Sequence, residues 1–148
     1  MDKAYIASPL SHFSKDGVAA NMCACRKYVE RYKVIGREKP VALHHLLPEI
    51  LNRDRDDEYE LYVHLEFTLI DSCKTICFCG DTLTSNMLSK VKYAYRKHMK
   101  ILFADKNVAH EAKRNLPTLS YFLIHDKELA QNSLELGGFK NGNCQRVR

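Results

Sequence analysis

The stretch Gly80-Asp81-Thr82-Leu83-Thr84-Ser85-Asn86-Met87-Leu88-Ser89-Lys90-Val91, entered from Thr75-Ile76-Cys77-Phe78-Cys79, decides the fold. The entering run is almost wholly apolar, as a central parallel strand covered on both faces must be. Gly80 ends it, and the loop Asp81 to Ser85 leads into a helix that reaches about Lys97. This is the layout of a strand-to-helix ligand loop. Amides in the first turn of a helix lack intrahelical partners and favour an anion. Glycine permits a backbone geometry or a close approach that a side chain would block. Thr84, Ser85 and Asn86 carry short hydrogen-bonding groups, each suited to capping the helix or to touching a ligand.

Working outward, the same alternation recurs on both sides. Tyr5-Ile6-Ala7 reads as a short strand running into the turn Ser8-Pro9, and Leu10 to Gly17 as a polar loop. From Val18, the residues Ala19, Met22, Cys23, Arg26, Val29 and Tyr32 recur at helical spacing, with the apolar members set to face a sheet. Gly36 can stop that helix, Pro40 to Leu43 forms a second strand, and His44-His45-Leu46-Leu47-Pro48 forms a loop. The charge run Asn52 to Glu58 reads as a solvated connection. A helix follows from about Tyr59 to Ser72 with Leu61, Leu65, Leu69 and Ile70 as its apolar stripe. Lys100 to Phe103 is another strand. Beyond it, 107–115 reads as a helix, 119–124 as either a strand or a helix start, and 126–136 as helical up to Gly137-Gly138. The pattern predicts an α/β fold: a Rossmann-like three-layer sandwich with a mostly parallel central sheet. One domain spans 1–148, with a core at 4–104, a C-terminal extension at 105–148 and a basic flexible tail from about 140.

At 148 residues and 45% hydrophobic content the chain can bury a respectable core. No apolar run approaches a membrane span, and the start lacks the apolar core of a secretory signal, so a cytoplasmic protein away from membranes is expected. Six cysteines without a signal fit a reducing compartment, where free thiols pack as small hydrophobes. No close Cys/His spacing marks a metal site, and neither metal nor cofactor is expected. Net charge of +5, from 23 Lys plus Arg against 18 Asp plus Glu, suits either a phosphate-bearing partner or a solvated surface. Nothing resembles a zinc finger, an RNA-binding aromatic motif or a helix-turn-helix, which leaves nucleic acid outside the expected partners.

Ligands of open parallel sheets sit beyond the carboxyl ends of the strands. Three loops converge there: Ser8-Pro9-Leu10-Ser11-His12, His44 to Pro48, and Gly80 to Asn86. His44 or its neighbour His45 can line such a pocket, the other packing or facing solvent. Asn21 can bond a ribose hydroxyl or tie down the Ser8 loop. Tyr5 either brings its hydroxyl to the pocket or is a core tyrosine. Tyr59 and Tyr62, like Tyr93 and Tyr95, read as packing or decorating their helices.

Tyr5-Ile6-Ala7-Ser8-Pro9, Asn21, the His44 to Pro48 loop, Cys73 before the central strand and Gly80 through Met87 together resemble the nucleoside 2-deoxyribosyltransferase-like superfamily, and more closely a small branch of it. The likeness covers approximately residues 4–104. It implies N-glycosidic chemistry on nucleosides or their monophosphates, in which a glutamate on the helix after the Gly loop attacks the sugar C1′. Lys90 stands at that glutamate's position. Thr84 matches the hydroxyl position, Asn86 the usual glycine, and Lys74 an aspartate before the strand, which would reverse the charge at the pocket's edge. Glu66 corresponds to the acid that helps the base depart; Asp71 is about one helical turn away, with an exposed side chain its simpler reading.

A protonated lysine cannot replace the nucleophile and is better suited to anchoring a phosphate. The leading expectation is therefore binding of a nucleoside, nucleotide or related phosphate-bearing ligand by a catalytically impaired fold. The expected ligand residues are Tyr5, Ser8, Pro9, Asn21, His44, Gly80, Asp81, Thr84, Ser85, Asn86 and Lys90, with Glu66 as the catalytic candidate. The alternatives are an active N-glycosidase or transferase and a protein-interaction or inhibitor module of the phage or mobile-element kind. For the latter, Arg53 to Glu58 and 105–148 are the contact surfaces. The resemblance also implies a homo-oligomer.

Overall fold

The structure, a computed structural model, describes residues 1–10, 15–43 and 55–132. The elements run β1 (Lys3–Ala7), α1 (Lys15–Ile35), β2 (Lys39–Val41), α2 (Asp56–Asp71), β3 (Thr75–Phe78), α3 (Ser85–Arg96), β4 (Lys100–Phe103), α4 (Lys106–Asn115), β5 (Phe122–Leu123) and α5 (Lys127–Ala130). The strands form one sheet in the order β2-β1-β3-β4-β5, with every pairing parallel. The Rossmann-like sandwich is thus the fold.

Strand alternation sorts the core into two layers. Ala4, Ile6, Cys77, Cys79 and Leu102 face α1 and Leu129 of α5, packing on Ala24, Cys25, Tyr28, Val29 and Tyr32. Tyr5, Ala7, Val41, Ile76, Phe78, Ile101 and Phe103 point the other way, onto Ile70 of α2, Met87, Val91 and Ala94 of α3, and Val108, Ala109 and Ala112 of α4. Phe78 and Phe103 stack across adjacent strands with centroids 5.1 Å apart. Cys25, Cys73, Cys77 and Cys79 are buried free thiols, as expected; Cys23 departs from that reading, being disulfide-bonded.

Several boundaries differ from expectation for local reasons. α2 begins at Asp56, not Tyr59, because Asp56, Asp57 and Glu58 place negative charge on the first turn, where the helix dipole favours it. Its buried stripe is Tyr62, Glu66 and Ile70, while Leu61 is 46% exposed. β2 is shorter than expected and begins one residue earlier, at Lys39. Residues 119–124 resolve into the edge strand β5, and the helix after Asp126 lasts only to Ala130 among the described residues. Gly36 closes α1 through its amide bond to the Tyr32 carbonyl at 2.7 Å, and a Cβ there would lie 2.2 Å from the Tyr32 ring.

No helix among the described residues is long and apolar enough to cross a membrane. The His12 position, the His44 to Pro48 loop, Arg53, Asp54 and the segment from 133 onward lie outside the described residues.

Candidate ligand site at the carboxyl edge of the sheet

After β1 the chain moves outward to β2, then returns across β1 to β3 and continues to β4. This reversal separates the loops after β1 and β3, creating the crevice in which sheets of this order hold ligands. A cavity of about 250 Å³ lies there, lined by Ser8 and Leu10 after β1, Tyr59, Tyr62, Val63, Glu66 and Phe67 of α2, and Thr84, Asn86, Ser89 and Lys90 at the start of α3.

The loop after β3 has the geometry its sequence demands. Gly80 sits at φ 86°, in the left-handed region that favours glycine. A Cβ at this position would come within 3.2 Å of Pro9 Cδ and 3.3 Å of the Tyr28 hydroxyl. Its amide donates to the Leu129 carbonyl at 2.7 Å. Thr84 is the N-cap of α3: its backbone is extended, and its hydroxyl accepts from the Met87 amide at 3.1 Å. Thr84 therefore caps the helix while lining the cavity.

Two helices bring opposite charges together in the cavity wall. Lys90 Nζ lies 3.1 Å from Glu66 Oε1, with their side chains only 10% and 5% exposed. The Tyr5 hydroxyl donates a short hydrogen bond to Glu66 Oε2. Glu66 is thus held by a cation on one oxygen and a phenol on the other, an orientation that fixes the carboxylate. Burial, reinforced by the Glu66 charge and hydrogen bond, raises the Tyr5 pKa well above its ordinary value, so Tyr5 stays the donor. Burial likewise pushes the Cys25 thiol up to about 12; nearby Ser8 pulls it down and the Glu66 charge adds to the rise. Ser8 Oγ itself is buried in the cavity wall without a hydrogen-bond partner of normal geometry among the described residues.

Of the expected site residues, Ser8, Glu66, Thr84, Asn86 and Lys90 converge on the cavity, and Tyr5 reaches it through Glu66. The others among the described residues do not line it. Pro9 is buried against Gly80, and Asn21 donates to the Leu10 carbonyl at 3.0 Å, tying down the Ser8 loop rather than meeting a ligand. Asp81 is exposed and accepts from Thr82 and Asn132 at 3.2 Å each. Ser85 is exposed, and its carbonyl accepts from Ser89 at 3.2 Å. His44 falls outside the described residues.

One further expectation needs correction. Lys74 precedes β3 and therefore sits at the amino edge of the sheet, away from the cavity, 3.5 Å from Asp2. It exerts no charge reversal at the pocket. Asp71, at the far end of α2, is exposed, as its simpler reading had it, and accepts a short hydrogen bond from Tyr93. Tyr59, Tyr62, Val63 and Phe67 went unassigned to the site. Their signal was periodicity, since Tyr59, Tyr62, Val63 and Glu66 fall at i, i+3, i+4 and i+7 on one helical face. Ser89, adjacent to Lys90, was passed over as well.

Among the described residues no group of three His, Cys, Asp or Glu side chains is placed to hold a metal ion. Fold and cavity define a parallel α/β domain with a crevice at the carboxyl edge of its sheet. The chain belongs to the domain-of-unknown-function family DUF7768, which residues 2–104 match. That match runs from β1 through β4 and ends before α4. No curated protein and no solved structure matches the chain.

Proposed function

We propose that the cavity binds a nucleoside, nucleotide or related phosphate-bearing small molecule. The observation that carries this reading is the buried Ser8 hydroxyl, which among the described residues has only the Cys25 thiol near it and no partner of normal geometry, in the wall of a cavity that also contains the first turns of α3. An unsatisfied buried hydroxyl costs about 1–3 kcal/mol, a cost that a ligand acceptor at this position would remove. With Lys90 neutralised by Glu66, the first-turn amides of α3 favour an anionic group, while Tyr59, Tyr62 and Phe67 offer aromatic surface for a base. The likeness to nucleoside-handling enzymes points to the same class of ligand.

Calorimetry and thermal-shift titration with nucleoside mono-, di- and cyclic phosphates and ADP-ribose test the proposal. A saturable ligand whose binding is weakened by Ser8→Ala supports it. Silence across the whole set overturns it.

A second reading, N-glycosidic cleavage, is favoured by one observation: Glu66 is oriented by two donors and lies in the cavity wall. In this reading Glu66 is the catalytic residue despite lying on α2. Release of free base from nucleoside monophosphates, abolished by Glu66→Gln, is its signature. A fully active Glu66→Gln protein excludes it.

A further inference from the structure

Among the described residues Lys90 is the one buried lysine, and it is buried in the wall of the cavity. A lysine amine attacks a carbonyl carbon only after giving up a proton, which a solvated lysine near neutral pH rarely does. Lys90 has a proton acceptor beside it: Glu66 Oε1, 3.1 Å from Nζ and equally withdrawn from water. Lys33 and Lys74 also meet carboxylates, at 2.9 and 3.5 Å, but at exposed positions where both ions keep their water. Burial penalises the two ions and neither neutral partner, which brings the neutral amine and acid within reach of the Lys90–Glu66 pair. The Tyr5 phenol occupies Oε2 and leaves Oε1 to face the amine.

The rest of the wall suits a small polar carbonyl compound. Ser8, Thr84, Asn86 and Ser89 offer hydroxyl and amide groups to the hydroxyls of such a ligand. Leu10, Val63 and Phe67 make the remaining wall apolar, which limits the water that would hydrolyse a carbon–nitrogen double bond.

We infer that Lys90 forms an imine with a small hydroxyaldehyde, the open-chain form of an aldose. Lys90 passes a proton to Glu66 Oε1, and the free amine adds to the aldehyde carbon to give a carbinolamine. The carbinolamine hydroxyl departs as water with the proton held by Glu66, and a C=N bond joins the sugar carbon to Nζ. One aldehyde and one lysine ammonium thus become one iminium and one water, with Glu66 ionised at the start and at the end. The inference rests on the reading of the cavity as a ligand site, and the aldose is the sugar part of the ligand class proposed for it.

The test incubates the full chain with ribose and with ribose 5-phosphate in the presence of sodium cyanoborohydride, which reduces an imine to a stable secondary amine, and maps the adducts by mass spectrometry. Lys90 should be labelled saturably and at least about tenfold faster than Lys92 and Lys97, the exposed lysines at the end of and beyond the next turns of the same helix. Lys90→Arg, which keeps a cation beside Glu66, should lose that adduct and leave the slow labelling of Lys92 and Lys97 unchanged. Labelling of Lys90 no faster than theirs overturns the inference. Saturable binding of a nucleotide or of ribitol 5-phosphate, which has no aldehyde, without any adduct on Lys90 from either sugar also overturns it while leaving the cavity a ligand site. A fast adduct on Lys90 in a protein that binds no nucleotide supports the imine and removes the nucleotide alone.

Discussion

Lys90 on α3 and Glu66 on α2 meet at 3.1 Å inside the cavity wall, and this ion pair is a buried polar link between the two helices that shape the site. Its burial makes the two residues interdependent. Removing either one leaves a charge in a poorly solvated place, whereas removing both leaves none.

Lys90→Met alone is therefore expected to destabilise the fold by about 3 kcal/mol. The double variant Lys90→Met/Glu66→Leu should recover most of that loss. Urea denaturation of the two single variants and the double variant measures the coupling. Additive losses would mean that the pair is already well solvated.

Tyr5→Phe deletes the phenol that donates to Glu66 and should cost about 1.5–3 kcal/mol, as for other hydrogen bonds to charged groups. Tyr62→Phe, measured alongside, reports what loss of a hydroxyl costs at another tyrosine of the same cavity.

Gly80→Ala places a Cβ on a φ of 86° and within 3.2 Å of Pro9. A loss of about 1–2 kcal/mol is expected from the left-handed backbone alone. Thr84→Ala should cost about 1 kcal/mol through loss of the α3 cap, with Thr84→Ser close to wild type. Thermal unfolding followed by circular dichroism checks both.

Alkaline stability carries a signature of Cys25. Its folded pKa is raised from 9.0 to about 12, so the folded state keeps a proton that the unfolded chain releases. Stability is complete below pH 9 and falls as pH rises from 9 to about 12, by up to about 1.4 kcal/mol per pH unit from this group. Tyr5, also raised, adds to the fall above pH 10. Cys25→Ala should make the decline shallower when denaturation midpoints are compared between pH 8 and pH 11. An unchanged slope would refute burial of the thiol.

The strands and the Gly80 loop were legible because each rests on local chemistry: an apolar run, a glycine and a cap. The two-face sorting of β3 followed equally from strand alternation. The cavity was only partly legible. Ser8, Thr84 and Asn86 announced themselves as loop or cap residues, but Tyr59, Tyr62 and Phe67 look like ordinary packing residues until Glu66 shows which way their helix faces. Lys74 misled for the opposite reason. It is near the central strand in sequence, yet it precedes the strand, and strand polarity carries it to the far edge. Lys90 and Glu66 lie on separate helices, and no spacing rule reports a contact between elements joined through an intervening strand.

Leu129 lies beyond the last residue that matches the family, yet its side chain is fully buried against Cys77, Cys79 and Leu102, and its carbonyl holds the Gly80 amide. Arg31 and Asp126, 2.7 Å apart, and Tyr28, bonded to the Gln131 carbonyl at 2.6 Å, fasten the same segment to α1. The conserved-profile boundary and the folding boundary are consequently different places. A fragment cut after residue 104 would present a bare apolar sheet face and a loose Gly80 turn, detectable as dye binding and protease sensitivity, whereas one carried through residue 132 keeps the latch.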